Sequence, residues 1–230
     1  MKKSNLLIIL FFASFVVRAQ EADLLIKKVK AKLALVDNYE ATGVMKTDIA
    51  FIKAPIGRVK IYFKKPNLFK IKKEGGISLL PKGGMSVNLS SLIASSSYAT
   101  IDAGLQELDG KKLRVIKLLP NEETSDVVIT TLYINEKESL IEKSTTTTKE
   151  NGTYSMMMRY GDYSNYGLPD KVVFEFNTKN YKLPKGITLE FEDDSKALSA
   201  AQQLKNKKGR VEIIYKNYLV NKGIPSAVFN

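Results

Sequence analysis

Leu140-Ile141-Glu142-Lys143-Ser144-Thr145-Thr146-Thr147-Thr148-Lys149, then Glu150-Asn151-Gly152, then Thr153-Tyr154-Ser155-Met156-Met157-Met158-Arg159-Tyr160 is the stretch that decides the fold. Two alternating runs flank Asn151-Gly152, a dipeptide that accepts the positive φ angles of a two-residue hairpin turn. They predict antiparallel strands over Leu140–Lys149 and Thr153–Tyr163.

The same period of two continues outward in both directions. Upstream, Tyr39, Ala41, Gly43, Met45, Thr47, Ile49 and Phe51 alternate with Glu40, Thr42, Val44, Lys46, Asp48, Ala50 and Ile52. Val59, Ile61 and Phe63 then alternate with Lys60, Tyr62 and Lys64, so each strand is expected to carry one greasy face. Further strands are predicted at 69–73, 100–108, 112–119, 126–135, 171–177, 188–192 and 211–220. Turn chemistry falls between them, at Pro55-Ile56-Gly57, Asp109-Gly110, Gly167-Leu168-Pro169 and Pro184-Lys185-Gly186. Such short connections predict an antiparallel meander of about ten strands.

Ahead of the strands lies a helical pattern. Leu25, Val29, Leu33 and Val36 recur at steps of four, four and three, while Lys27, Lys28, Lys30 and Lys32 mostly take the other face. Asp37-Asn38 predicts its stop, because both residues favour local hydrogen bonds over continued helix. Two stretches break the strand rhythm. Pro81 to Ser97 reads as a loop with a short helix around Leu89, Leu92 and Ile93, whereas residues 195–209 read equally well as a linker or a short helix. Residues 210–230 read as an extra strand pair. Their Tyr215, Tyr218, Gly223-Ile224-Pro225 and Val228 repeat the order of Tyr160, Tyr163, Gly167-Leu168-Pro169 and Val172. That echo predicts an extension of the sheet edge.

A helix of about seventeen residues is about 25 Å long and 10 Å wide, but about ten strands make a sheet near 48 Å across. One helix cannot cover one oily face of that size. The expected fold is therefore α+β: a curved antiparallel sheet forming an unclosed β-barrel, with an N-terminal helix and a short helical lid over an apolar cavity. The residues expected to line it are Leu25, Val29, Leu33, Met45, Phe51, Phe63, Leu92, Leu132, Met156, Met158, Phe174 and Phe176. Methionine and aromatic side chains suit a wall that must fit flexible acyl chains.

The first residues, Met1-Lys2-Lys3, an apolar run from Leu6 to Val17 and then Arg18-Ala19, have the form of a secretory signal peptide over 1–19, cleaved after Ala19. They predict export to the periplasm and a single mature domain over 20–230. The chain carries a net charge of +12; subtracting the three basic residues of the leader leaves +9, which favours anionic surfaces. The chain has no His, Cys or Trp, which removes Ser-His-Asp and Cys-His nucleophile systems, thiolate and histidine metal sites, and disulfides. No nucleotide-binding glycine loop occurs, and the lysines are dispersed without an aromatic-interleaved motif for nucleic acid. Glu190, Glu192, Asp193 and Asp194 cluster at a predicted strand end, where a solvated rim is the simplest reading. No enzyme activity, cofactor or metal is expected.

Three motifs resemble the outer-membrane lipoprotein carrier (LolA-type) family. Phe63-Lys64-Lys65-Pro66-Asn67-Leu68-Phe69 is similar to its strand-turn-strand signature; Leu108-Asp109-Gly110-Lys111 through Leu118-Leu119-Pro120 resembles a later strand pair. Phe174-Glu175-Phe176 followed by Leu183-Pro184-Lys185-Gly186-Ile187-Thr188 resembles the closing strands, so the likeness extends to about Asp194. It implies a non-catalytic periplasmic carrier that binds acyl chains of lipoproteins or lipids and moves them toward the outer membrane, with transient contacts to inner- and outer-membrane components. A monomer is expected. In that family the basic residue before Pro-Asn is an arginine that bonds to the lid, which makes Lys65 the latch candidate, although an ammonium lacks the planar fork of a guanidinium. The alternative is an envelope sensor or interaction module of the same fold that binds lipoprotein or peptide.

Overall fold

The computed structural model describes residues 21–48, 56–66, 68–73, 93, 97–150, 152–177 and 208–229. Helix α1 spans residues 21–34. Its buried face is Ala22, Leu25, Ile26 and Val29, continued by partly buried Leu33 and, just beyond the helix, by Val36. These steps of three and four place one apolar stripe against the sheet.

Ten strands follow: β1 (Asn38–Asp48), β2 (Gly57–Lys64), β3 (Leu68–Lys73), β4 (Tyr98–Leu108), β5 (Lys111–Pro120), β6 (Val127–Asn135), β7 (Leu140–Thr148), β8 (Gly152–Arg159), β9 (Lys171–Asn177) and β10 (Lys208–Val220). They form one antiparallel sheet in the order β3-β2-β1-β10-β9-β8-β7-β6-β5-β4. Its edges are β3 and β4, which do not pair, so the sheet is an unclosed barrel rather than a closed one. Open edges invite pairing with other chains. Here β3 carries Lys70, Lys72 and Lys73. On the other edge, β4 is bulged between Asp102 and Leu105, where Gly104 has φ 84° and donates its N–H to Asp102 Oδ1 at 2.8 Å. A bulge of this kind twists an edge away from flat pairing.

Three expectations need correction. The C-terminal copy of the echo does not extend the edge: β10 is inserted at the middle of the sheet, between β1 and β9. Residues after it form a 3-10 turn at Ser226–Val228 instead of a return strand. The strand predicted to reach Tyr163 stops at Arg159, because Asp170 N–H bonds back to Arg159 O at 2.8 Å and a 3-10 turn at Ser164–Tyr166 follows. The leader, Phe51, the strand expected at 188–192, its acidic cluster and most of the Pro81–Ser97 and 195–209 segments lie outside the described residues. The described remainder of those segments is Ile93, which is helical and buried, Ser97, and Lys208-Gly209, which open β10.

The insertion of β10 needs a fit at its seam with β1. A register shift after Thr42 opposes Thr42 to Asn217 and Gly43 to Tyr215, so Lys216 is the extra residue. Tyr215 and Tyr218 thereby both turn inward, and both are buried in the same core cluster. The two halves of the echo meet in space, with Tyr163 and Tyr218 ring centroids 4.9 Å apart. Tyr218 also stacks on Tyr215 at 5.1 Å and meets Tyr39 edge-on at 5.3 Å.

The last carbonyls of a helix have no partner within it, and at α1 two side chains supply them. Asn221, in the left-handed region at φ 56°, accepts at Oδ1 from Asp37 N (2.8 Å) and Asn38 N (3.3 Å) and donates from Nδ2 to Leu35 O (2.8 Å). Lys65 Nζ donates to Ala34 O at 2.7 Å and pairs with Asp37 Oδ1 at 2.8 Å. The end of β10 and the β2–β3 turn thus both tie down the C-terminal end of α1. Asn221→Gly keeps the backbone freedom and removes the three side-chain bonds. It is expected to cost about 2 kcal/mol in urea unfolding, and an unchanged midpoint would mean that water replaces those bonds without loss.

Candidate functional site

The inner wall of the curved sheet faces α1. Of the expected lining residues, Leu25, Val29, Met45, Phe63, Leu132, Met156, Met158, Phe174 and Phe176 lie in one contiguous buried cluster, and Leu33 packs against it. Phe51 and Leu92 lie outside the described residues, but Ile93, next to Leu92, joins the same cluster. The structure brings these residues together because strand alternation puts every second side chain on one face. Along the β8-β9-β10 row, for example, Phe174 pairs with Met156 on one side and Val211 on the other.

The expected lining left out the tyrosines of this wall, although Tyr39 was placed in the apolar alternation of the first strand. Tyr39, Tyr154, Tyr215 and Tyr218 are all buried there, and the signal for the last two was the echo itself. Burial pushes the hydroxyls of Tyr39, Tyr160 and Tyr215 above the ordinary phenol range, with Tyr215 adding to the effect at Tyr39 and Glu142 at Tyr160. Burial raises Tyr218 likewise, and two of these neutral hydroxyls donate inside the wall: Tyr160 Oη to Ile141 O at 2.8 Å, and Tyr218 Oη to Pro169 O at 2.7 Å.

A second miss is the polarity of β7. Its inward positions beyond Ile141 are Ser144, Thr146 and Thr148, all buried, so most of this strand lacks the greasy face expected of it. Thr146 Oγ1 meets Thr130 Oγ1 of β6 at 3.1 Å, and Thr146 also bonds with Tyr154 of β8. One row along, Ser144 stands between Leu132 and Met156.

Around α1 the wall is ringed by charge. Lys32 Nζ donates to Glu138 O, and Lys30 Nζ stands 4.8 Å from the centre of the Tyr98 ring. At the β4 side, Arg114 pairs with Asp102 (3.2 Å) and Glu136 (2.9 Å). Desolvation opposes its charge, but Glu136, Asp102 and the Glu21 carboxylate of α1 outweigh that and raise its pKa. Lys65, the latch candidate, sits at the end of α1, as described above.

On the opposite, convex face, Leu113, Met157 and Val173 floor a groove of about 290 Å³ that is rimmed by Lys111, Glu142 and Arg210. Its charges are paired: Lys111 with Glu142 at 2.8 Å, and Arg210 with Glu175 at 3.0 Å. Beside it, Glu212 accepts from Lys171 at 2.9 Å and Arg210 at 3.4 Å. The hydrogen bond from Lys171 contributes most to lowering the Glu212 pKa below its usual value. A carboxyl whose pKa falls on folding stabilises the fold above its unfolded value, and that stability is lost as pH drops through the folded one. The stability difference between the protein and Glu212→Gln, expected below about 1 kcal/mol at pH 7, should therefore shrink in denaturant titrations taken from pH 7 to below 4.

No family model matches the chain, and no curated protein matches it in sequence. Solved structures do match. An outer membrane lipoprotein-sorting protein domain from Vibrio parahaemolyticus aligns with TM-score 0.51 at 11% identity, covering 92% of this chain and 97% of that one. A LolA superfamily protein from Nitrosomonas europaea aligns with TM-score 0.55 at 11% identity, covering 91% and 97%. A DUF1329 family protein from Desulfovibrio piger gives 0.55 at 11%, covering 92% and 97%. Among the described residues no helix is long and apolar enough to cross a membrane. With its N-terminal helix laid on a ten-stranded antiparallel sheet that stops short of closure, the chain has the LolA-type fold.

Proposed function

We propose that this protein is a non-catalytic carrier of the bacterial periplasm that binds acyl chains of lipoproteins or lipids against the inner wall and moves them toward the outer membrane. The observation that carries this reading is the single apolar cluster running across an unclosed sheet beneath one amphipathic helix. Acyl burial supplies about 0.8 kcal/mol per methylene, so two chains of ordinary length offer ample affinity without any catalytic group. α1 is the element that must shift to admit them, because its buried stripe occupies the wall. Lys65 then works as the latch, through the C-terminal end of α1 and the Asp37 carboxylate. The basic surface favours anionic membranes at either end of the journey.

Delipidated protein is expected to take up a fluorescent fatty acid with a blue-shifted, saturable signal, and native mass spectrometry of protein from the periplasm should show bound lipid or lipoprotein. Lys65→Met should speed uptake by loosening α1. Protein that carries no lipid and never takes up the probe would overturn the reading.

A further inference from the structure

The hydroxyl groups of Ser144 and Tyr98 are, among the described residues, the buried side-chain polar atoms with no hydrogen-bond partner. Ser144 is the more telling of the two. It is 1% exposed, faces the inside of the sheet, and stands between two apolar neighbours, Leu132 and Met156. A buried hydroxyl without a partner is disfavoured, whereas an apolar side chain at that place would carry no such cost. The adjacent row satisfies its hydroxyls internally, through Thr130, Thr146 and Tyr154. Ser144 is therefore a free donor beside a polar track whose own hydroxyls are paired, on a wall that is mostly oily.

We infer that Ser144 is a ligand contact which donates to the carbonyl of an ester- or amide-linked acyl chain, so that the wall selects acylated cargo over plain alkyl cargo. This rests on the carrier reading and adds to it the chemistry of the cargo. A carbonyl needs one donor and offers no proton of its own, which fits a lone hydroxyl. The flanking Leu132 and Met156 meet the methylenes on either side of that carbonyl. An ether-linked chain has the same shape and length but a much poorer acceptor, so the two linkages separate hydrogen bonding from burial.

The test is displacement of a bound fluorescent fatty acid by a diester phosphatidylglycerol and by its diether counterpart of equal chain length. The wild-type protein is expected to prefer the diester by about fivefold to tenfold, the worth of one buried hydrogen bond. Ser144→Ala should bring the two lipids level while leaving diether affinity unchanged, and Ser144→Thr, which keeps a hydroxyl, should restore part of the preference. The thermal midpoint of empty Ser144→Ala should stay level or rise, since an unpaired hydroxyl is removed; a residue that merely supports the wall would instead lower it together with both affinities. Equal displacement by both lipids in the wild type, or a preference that survives Ser144→Ala, overturns the inference while leaving the carrier reading intact. Failure of the wild-type protein to take up the fatty acid at all removes both.

Discussion

Gly43→Val is expected to lower stability by about 3 kcal/mol or more, at or beyond the upper range of overpacking in a filled core. The backbone of Gly43 does not need glycine for its dihedral angles; space is what excludes a side chain. A Cβ built there would lie 2.5 Å from the carbonyl oxygen of Ile214 and 3.4 Å from Tyr215 Cα. Both are backbone atoms of β10, and they cannot swing aside as a flexible side chain would. The position is the bulge where β1 meets β10, the seam that joins strands β1 to β3 with strands β4 to β9. For a chain of this size the loss corresponds to a fall of about 6–12 °C in the thermal midpoint. Calorimetry of the two proteins checks it, and a valine variant that melts within a degree or two of the parent would mean that the seam is looser than these contacts imply.

Phe174→Ala should cost about 3–5 kcal/mol, the usual loss for deleting a buried aromatic ring. Phe174 is 1% exposed, with its ring 5.4 Å from those of Tyr154 and Phe176. It lies on β9, and its neighbours across the ladders are Met156 and Val211, so removal of the ring opens a hole in the middle of the inner wall. Urea unfolding gives the number directly. Phe174→Leu should fall between the two, because it restores part of the lost volume. A drop of less than about 1 kcal/mol for Phe174→Ala would show that neighbouring methionines collapse into the space.

Strand positions were legible wherever apolar and polar residues alternate, as in Tyr39 to Asp48 and Lys171 to Asn177. The α1 stripe was legible for the same reason at the helical period. What periodicity could not give was non-local pairing. Nothing in Val211 to Val220 announces Tyr39 to Asp48 as a partner, so the last strand was placed at an edge although it lies in the centre. The overshoot to Tyr163 has a local cause: Tyr160 continues the alternation of Met156 and Met158, but Asp162 and Tyr163 fall out of phase, and the 3-10 turn at Ser164–Tyr166 takes over once Asp170 N–H has bonded to Arg159 O. The inward polarity of β7 was hidden by composition. Threonine suits strands on either face, and a run of four of them carries no alternation by which to choose. Lys65 was singled out through a resemblance, and its contacts with Ala34 and Asp37 could not be read from a sequence separation of about thirty residues.

The central place of β10 has a consequence for the order in which the molecule can assemble. Strands β1 to β3 emerge first and β4 to β9 next, yet the two groups share no ladder until the thirteen residues of β10 arrive to lie between them. Pairings across such sequence distances are slow to form. All ten strands must therefore be available before the sheet can become continuous, which defers the commitment of the described residues to one shape until β10 has been made.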